Sequence, residues 1–344
     1  MDSITQIALG AAVGEATLGR QVGRRAWLWG ALCGLFPDLD ILFPFSDPVK
    51  AFTYHRGPSH SLFVLVALTP LFVWSIRKCH PETAPYRNRW YALVFLAFTT
   101  HVLLDCLTVY GTQIFWPIAT PPAMWSTIFI IDPLYSAPLF FGVLAALVSS
   151  RKRSWGHLAN TVCIVVSAVY LLWTVGAKTY VTGLAQASLR RQEVSYEKML
   201  TIPSPFNTLL WRVLAMDDKG YYEGFYSLFD QSRDVQMTHY ASHGNLLEDV
   251  ADHWPVKRLQ WFTHGFYAVA RSVDDIIIKD LRMGMEPFYV FQFKVGAVGN
   301  GHANPTRNRQ VMDERGWDQL RWVWQRIWKE DPAVRGREHQ EGLR

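Results

Sequence analysis

The sequence predicts a polytopic α-helical membrane bundle of about five to six apolar helices over residues 1–177, followed by an extracytoplasmic α+β domain over residues 178–344. Three observations lead there. Apolar runs of near-bilayer length are confined to the first half, basic residues alternate between the connections, and mixed charge with strand-like patterning sets in near Lys178.

Residues 4–18 and 26–36 are short apolar runs, and a hairpin of half-length helices, packed spans or a re-entrant pair all fit them. With Met1-Asp2 and no basic leader before it, the first run reads as retained rather than cleaved. Residues 61–76, 90–110, 127–149 and 158–177 are runs that span or nearly span a hydrocarbon core of about 30 Å.

Arg20, Arg24 and Arg25 precede the second run, Arg77, Lys78, Arg87 and Arg89 fill a later connection, and Arg151, Lys152 and Arg153 fill the next but one. The connections between them, 38–60 and 111–126, hold only Lys50 and Arg56. This alternation places the basic loops in the cytoplasm, and the 38–60 loop, the 111–126 loop and everything after Ala177 on the far side. The formal charge of +5 is therefore read as topology rather than nucleic-acid binding. All four cysteines precede Ala177, so a disulfide framework is excluded for the second domain.

Residues 179–200 continue as a helical stalk until Thr201-Ile-Pro-Ser-Pro205 stops it. Strands are expected at 209–216, 221–229, 266–272, 276–281 and 287–295, forming a small, mostly antiparallel sheet. Trp317, Leu320, Trp324, Ile327 and Trp328 recur at helical spacing, as in a helix packed on that sheet.

The chemistry concentrates in three motifs. His101 and Asp105, four residues apart, share one helical face inside an apolar run, where ionisable groups require partners. On the derived topology they end on the side that holds Pro37-Asp38-Leu39-Asp40 and His55-Arg56-Gly57-Pro58-Ser59-His60-Ser61. Asp38, His55, His60, His101 and Asp105 are the expected ligands of one or two divalent ions, zinc, manganese or iron, because imidazole and carboxylate without thiolate suit those metals. Asp40 is the expected proton acceptor and Arg56 a clamp for an anionic oxygen, with Gly57 allowing close backbone approach. Gln6 and Glu15 need partners within the first run, and Asp132 before Pro133 reads as a helix cap. His239, His243, His253 and His264 show no carboxylate partner in their spacing. HExxH, GxSxG and Walker signatures are absent.

These motifs, with the Gly-rich first helix, Leu107-Thr108 and Trp116-Pro117, resemble the YdjM-like family of predicted membrane-bound metal-dependent hydrolases over about residues 1–150. Members often carry a His near the position of Gln6. The resemblance implies an inner-membrane location and hydrolysis with no substrate attached, and it has no counterpart for the second domain. A lipid-like phosphoester at the external face and membrane lipids as partners fit that location. A structural or transport-related metal site is the non-catalytic alternative.

Overall fold

The computed structural model describes residues 1–149, 155–299, 302–312 and 317–330. Arg151, Lys152 and Arg153 of the third basic loop lie outside the described residues. The chain forms two compact units: Met1–Pro44, Tyr54–Trp125 and Ile130–Trp173 make the first, and Phe45–Thr53, Ser126–Phe129 and Thr174–Arg344 make the second. A single cut near Lys178 would assign Phe45–Thr53 and Ser126–Phe129 to the other side.

The first unit is helical. Helix α1 (Ser3–Gly14) starts where the Asp2 carboxylate accepts from Thr5 N at 2.9 Å, and it continues through a π turn, Glu15–Gly19. Helix α2 (Arg24–Leu35) packs on α1 through glycines of both helices. A Cβ on Gly10 would fall inside the contact shell of Gly30 O, one on Gly30 inside that of Gly10 O, and one on Gly34 inside that of Gln6 O. The two runs are thus a hairpin of short helices in backbone contact, the arrangement that small residues permit. Beyond α2 the chain tightens into a 3-10 turn, Phe36–Leu42, that carries Asp38 and Asp40.

Helix α3 (Leu62–Cys79) begins at Ser61, whose hydroxyl accepts from Val64 N, and contains Pro70. Helix α4 (Arg87–Cys106) returns antiparallel to it and contacts α1 and α2 as well. Its Trp90, Leu93, Val94, Ala97, Phe98 and Val102 are fully buried, so α4 is the core of the unit. Helix α5 (Pro133–Val148) is capped by Asp132, which accepts from Leu134 N at 3.0 Å and from the Tyr170 hydroxyl at 2.8 Å. Helix α6 (Trp155–Arg191) runs 37 residues, beginning in the first unit and ending in the second.

The expected bundle of five to six apolar spanning helices is corrected here. Among the described residues only α3 and α6 are long and apolar enough to cross a membrane, and α5, at 16 residues, falls short. Helices α1 and α2 have 12 residues each, and α4 carries Arg87, Arg89, His101 and Asp105. Many of their apolar side chains are buried, among them Leu9 and Val13 of α1, Ala26 and Ala31 of α2 and Leu93, Val94 and Phe98 of α4. Hydropathy registers burial without revealing whether protein or lipid provides it.

The second unit contains two four-stranded antiparallel sheets where one was expected. Strands β1 (Lys198–Pro203), β2 (Leu210–Met216), β3 (Gly220–Ser227) and β4 (Met237–Ala241) follow in chain order. Strands β5 (Tyr267–Ser272), β6 (Asp275–Asp280), β7 (Gln292–Gly299) and β8 (His302–Val311) make the other sheet, ordered β8-β7-β6-β5. Two prolines sit on edge strands: Pro203 ends β1, and Pro305 borders a register shift in β8. An edge strand loses no ladder bond to a missing N–H. Between the sheets in sequence lies helix α7 (Trp254–Phe262), and the last helix, α8 (Trp317–Trp328), buries Val323 and Ile327 against Leu210 of β2. On the exposed end of the first sheet His239 meets Asp217 at 3.1 Å, a carboxylate partner hidden by a separation of 22 positions.

Candidate metal centre

Four side chains from three separate segments converge in the first unit. Asp38 comes from the 3-10 turn, His60 from a second 3-10 turn, Pro58–His60, and His101 and Asp105 from α4. All four are buried, and one donor atom from each lies within 4.8 Å of the others.

The spacing suits one ion. His60 Nε2 is 3.1 Å from His101 Nε2 and 3.1 Å from Asp105 Oδ2, and His101 Nε2 is 3.4 Å from Asp105 Oδ2. Asp38 Oδ1 is 3.5 Å from His60 Nε2 and 3.6 Å from His101 Nε2. A tetrahedral ion with ligands at about 2.0–2.1 Å requires ligand–ligand edges of about 3.3–3.4 Å, the middle of that range. Asp38 Oδ1 and Asp105 Oδ2, the oxygens facing the centre, have no hydrogen-bond partner. Buried carboxylate oxygens left unpaired are costly, and a cation among them removes the cost.

The far atoms of each ligand fix which atom points inward. His101 Nδ1 donates to Gly34 O at 2.7 Å, so its Nε2 carries the lone pair. His60 Nδ1 lies 3.0 Å from Ser59 Oγ, which in turn donates to Asp40 Oδ2 at 2.5 Å. Asp38 Oδ2 accepts from Ser3 Oγ at 2.9 Å, and Asp105 Oδ1 accepts from Gln6 Nε2 at 3.0 Å and from the Met1 amino group. Two imidazole lone pairs facing each other at 3.1 Å need a positive charge between them. Burial disfavours protonation of His60, yet Asp105 and Asp38 outweigh it and raise the pKa of that imidazole. Burial likewise opposes ionisation of Asp38, but the contacts with His60 and His101 hold its carboxyl below the ordinary range. The site attracts positive charge, as a proton or as an ion.

His55 does not join the four. Its Nδ1 donates to Asp40 Oδ1 at 2.7 Å, and its ring stands edge-on to Tyr110 at 5.4 Å. Asp40 lies just outside the centre, where Oδ2 also accepts from Arg56 N at 3.0 Å. Burial raises the Asp40 pKa, but the His55 hydrogen bond outweighs it and keeps the carboxylate ionised. Arg56 is buried with φ of 61°, a left-handed conformation that costs a non-glycine residue about 1 kcal/mol or more. Its guanidinium donates to Thr108 Oγ1 at 3.1 Å, sits 3.3 Å from Asp105 Oδ1 and lies over the Tyr110 ring, while its Nε has no hydrogen-bond partner. A Cβ on Gly57 would lie 2.8 Å from Tyr54 O, so the tight approach expected there is present.

Gln6 found its partner at the centre, whereas Glu15 lies away from it, 3.6 Å from His157. Ser3 and the Gly34 carbonyl were not singled out from the sequence, whereas Ser59 and Thr108 were named only as parts of motifs, His55–His60 and Leu107-Thr108, with no role attached. Ser59→Ala is expected to weaken metal binding by about 10–100-fold, the usual cost of losing a group that orients a ligand, as measured by competition with a chelator.

The donor set is two nitrogens and two oxygens, able to hold a divalent metal ion. No curated protein and no solved structure matches the chain. The model of one family, described as YdjM inner membrane protein, matches residues 1–179, which contain the α1–α2 hairpin and all four ligands. The chain belongs to the YdjM inner membrane protein family.

Proposed function

We propose that the protein is a membrane-embedded, metal-dependent hydrolase acting at the external membrane face on a phospholipid-like phosphoester. The observation that supports this most is the buried guanidinium of Arg56 beside the ligand Asp105, with Nε unpaired. A divalent ion balances the Asp38 and Asp105 carboxylates, and the Arg56 guanidinium beside them offers its unpaired Nε–H to an anionic substrate oxygen. When bound, the metal supplies Lewis-acid polarisation and acidifies water. Arg56 holds the substrate's negative oxygen, while Tyr110 and Thr108 fix the guanidinium plane. Asp40 aligns His60 through Ser59, a positioning role in place of the expected proton acceptor. Its two oxygens are already occupied by His55, Ser59 and Arg56 N, and its lowered pKa makes it a weak base.

One observation favours the non-catalytic reading. Four protein ligands fill a tetrahedron, the pattern of structural zinc. Hydrolysis therefore favours an ion that accepts five or six ligands, such as manganese. Purified protein stripped of metal and reloaded with manganese or zinc decides between them on a panel of phosphoesters, esters and amides. Turnover that returns with one ion and disappears in Arg56→Lys supports the enzyme; metal that raises only the melting temperature supports the structural reading.

The orientation follows from the basic residues. Arg77, Lys78, Arg87 and Arg89 flank the α3–α4 connection, and the metal centre lies at the opposite ends of those two helices. We place that connection in the cytoplasm and the centre and second unit outside. In a Cys79→Ser background, Val273→Cys is expected to react with an impermeant maleimide in spheroplasts while Asn88→Cys stays protected. The reverse pattern would invert the assignment.

A further inference from the structure

On the outer surface of α3 and α4 lies a groove of about 370 Å³ lined by Val66, Thr69, Pro70, Tyr91, Ala92 and Phe95. Its size falls within the range of about 300–1,000 Å³ common to ligand sites. Its chemistry is apolar throughout most of its length. The Thr69 hydroxyl is spent on Leu65 O at 2.8 Å, and Pro70 has no N–H to offer. The groove offers too few polar partners to orient a sugar, nucleotide or peptide.

Only 22% of the apolar window of α3 is buried, with Phe63, Val66 and Trp74 more than half exposed or at that mark, which a helix in water would not tolerate over such a length. Exposed apolar residues continue to the level of the metal centre: Ile41 and Leu42, at the end of the turn that carries Asp38, are 74% and 75% exposed. In a member of an inner membrane family, hydrocarbon is the medium that meets such a face.

The groove and the metal centre share their two helices. On α4, Phe95 and Tyr91 precede the ligand His101 by about 9 and 15 Å along the axis, at 1.5 Å per residue. On α3, Val66 follows the cap Ser61, whose neighbour His60 is a ligand, by little more than one turn. A chain lying along the groove therefore points one end at the level of the centre.

We propose that this groove seats a single hydrocarbon chain of a bilayer lipid, which makes the substrate of the metal centre a long-chain amphiphile rather than a water-soluble ester. The substrate class rests on the hydrolase reading above; the chain seat does not.

The test uses the full chain in nanodiscs of phosphatidylethanolamine and phosphatidylglycerol, doped with phosphatidylglycerol carrying a diazirine in mid-chain. Crosslinks mapped by mass spectrometry are expected to concentrate severalfold on α3 and α4 groove residues over the outward face of α6. They should fall severalfold in Ala92→Phe, which fills the groove, and persist in His101→Ala. Val66→Asn on the rim reports the same loss if Ala92→Phe does not fold. Labelling spread evenly over all apolar faces and unchanged by both groove variants overturns the chain seat. Metal-dependent turnover of a long-chain phosphoester is expected to exceed that of its two-carbon analogue, with a raised KM for the long chain in the groove variants. Equal turnover of the two overturns the substrate class while leaving the hydrolase; groove labelling without turnover of any substrate overturns the hydrolase and leaves the chain seat.

Discussion

His101→Ala is expected to strip the purified protein of its divalent ion, while His55→Ala keeps it. Both residues are imidazoles of the same sequence neighbourhood of motifs, but only His101 points its Nε2 at Asp38, His60 and Asp105. Removing it deletes one of four donors and leaves two unpaired carboxylate oxygens facing each other across a cavity. His55 touches the centre only through Asp40 and Ser59, so its loss should weaken affinity by no more than the about 10–100-fold typical of an orienting group. His60→Ala should behave as His101→Ala does. Elemental analysis after gel filtration reads all three variants, and full metal content in His101→Ala would remove the centre from the protein.

Gly30→Val is expected to prevent accumulation of folded protein. The new side chain would be driven into Gly10 O, a backbone atom on α1, and α1 in turn meets α2 at Gly14 and Gly34. Overpacking costs about 1–3 kcal/mol where side chains can yield, and more where the obstacle is a backbone carbonyl. The damage also reaches the metal centre, because Gly34 O holds His101 Nδ1 and α1 carries Ser3 and Gln6 to Asp38 and Asp105. Gly183→Ala is the control. Nothing lies within 4 Å of a Cβ at that helical position, so the change should stabilise α6 by up to about 1 kcal/mol. Yield of monodisperse protein and thermal melting distinguish the two, and a Gly30→Val protein that melts like the wild type would mean that α1 and α2 are not in backbone contact.

Several features of the centre were legible because they are local. His101 and Asp105 share a face by the four-residue repeat of a helix, and Asp132 caps the helix that follows it by residue type alone. The close sequence spacing of His55 and His60 flagged the motif but could not divide its roles. His60 enters the centre and His55 stays out with Asp40, because the chain turns at Arg56 through a left-handed conformation. Asp38 and Asp40 separate for a related reason. On a 3-10 turn, residues two apart lie about 120° apart around the axis, so one carboxylate faces the ion and the other faces Ser59 and His55.

The sequence by itself determined the family, the α+β character of the second unit and four of the residues that gather at the centre, since each depends on residue type and short spacing. Only the tertiary structure decided which apolar helices are left facing outward, where β1, β4 and β8 join their sheets, and which histidine meets the ion. Those outcomes depend on what lies opposite each side chain. A buried leucine on α4 and an outward-facing leucine on α3 have the same hydropathy, and only the packing of α1, α2 and α3 around α4 separates them.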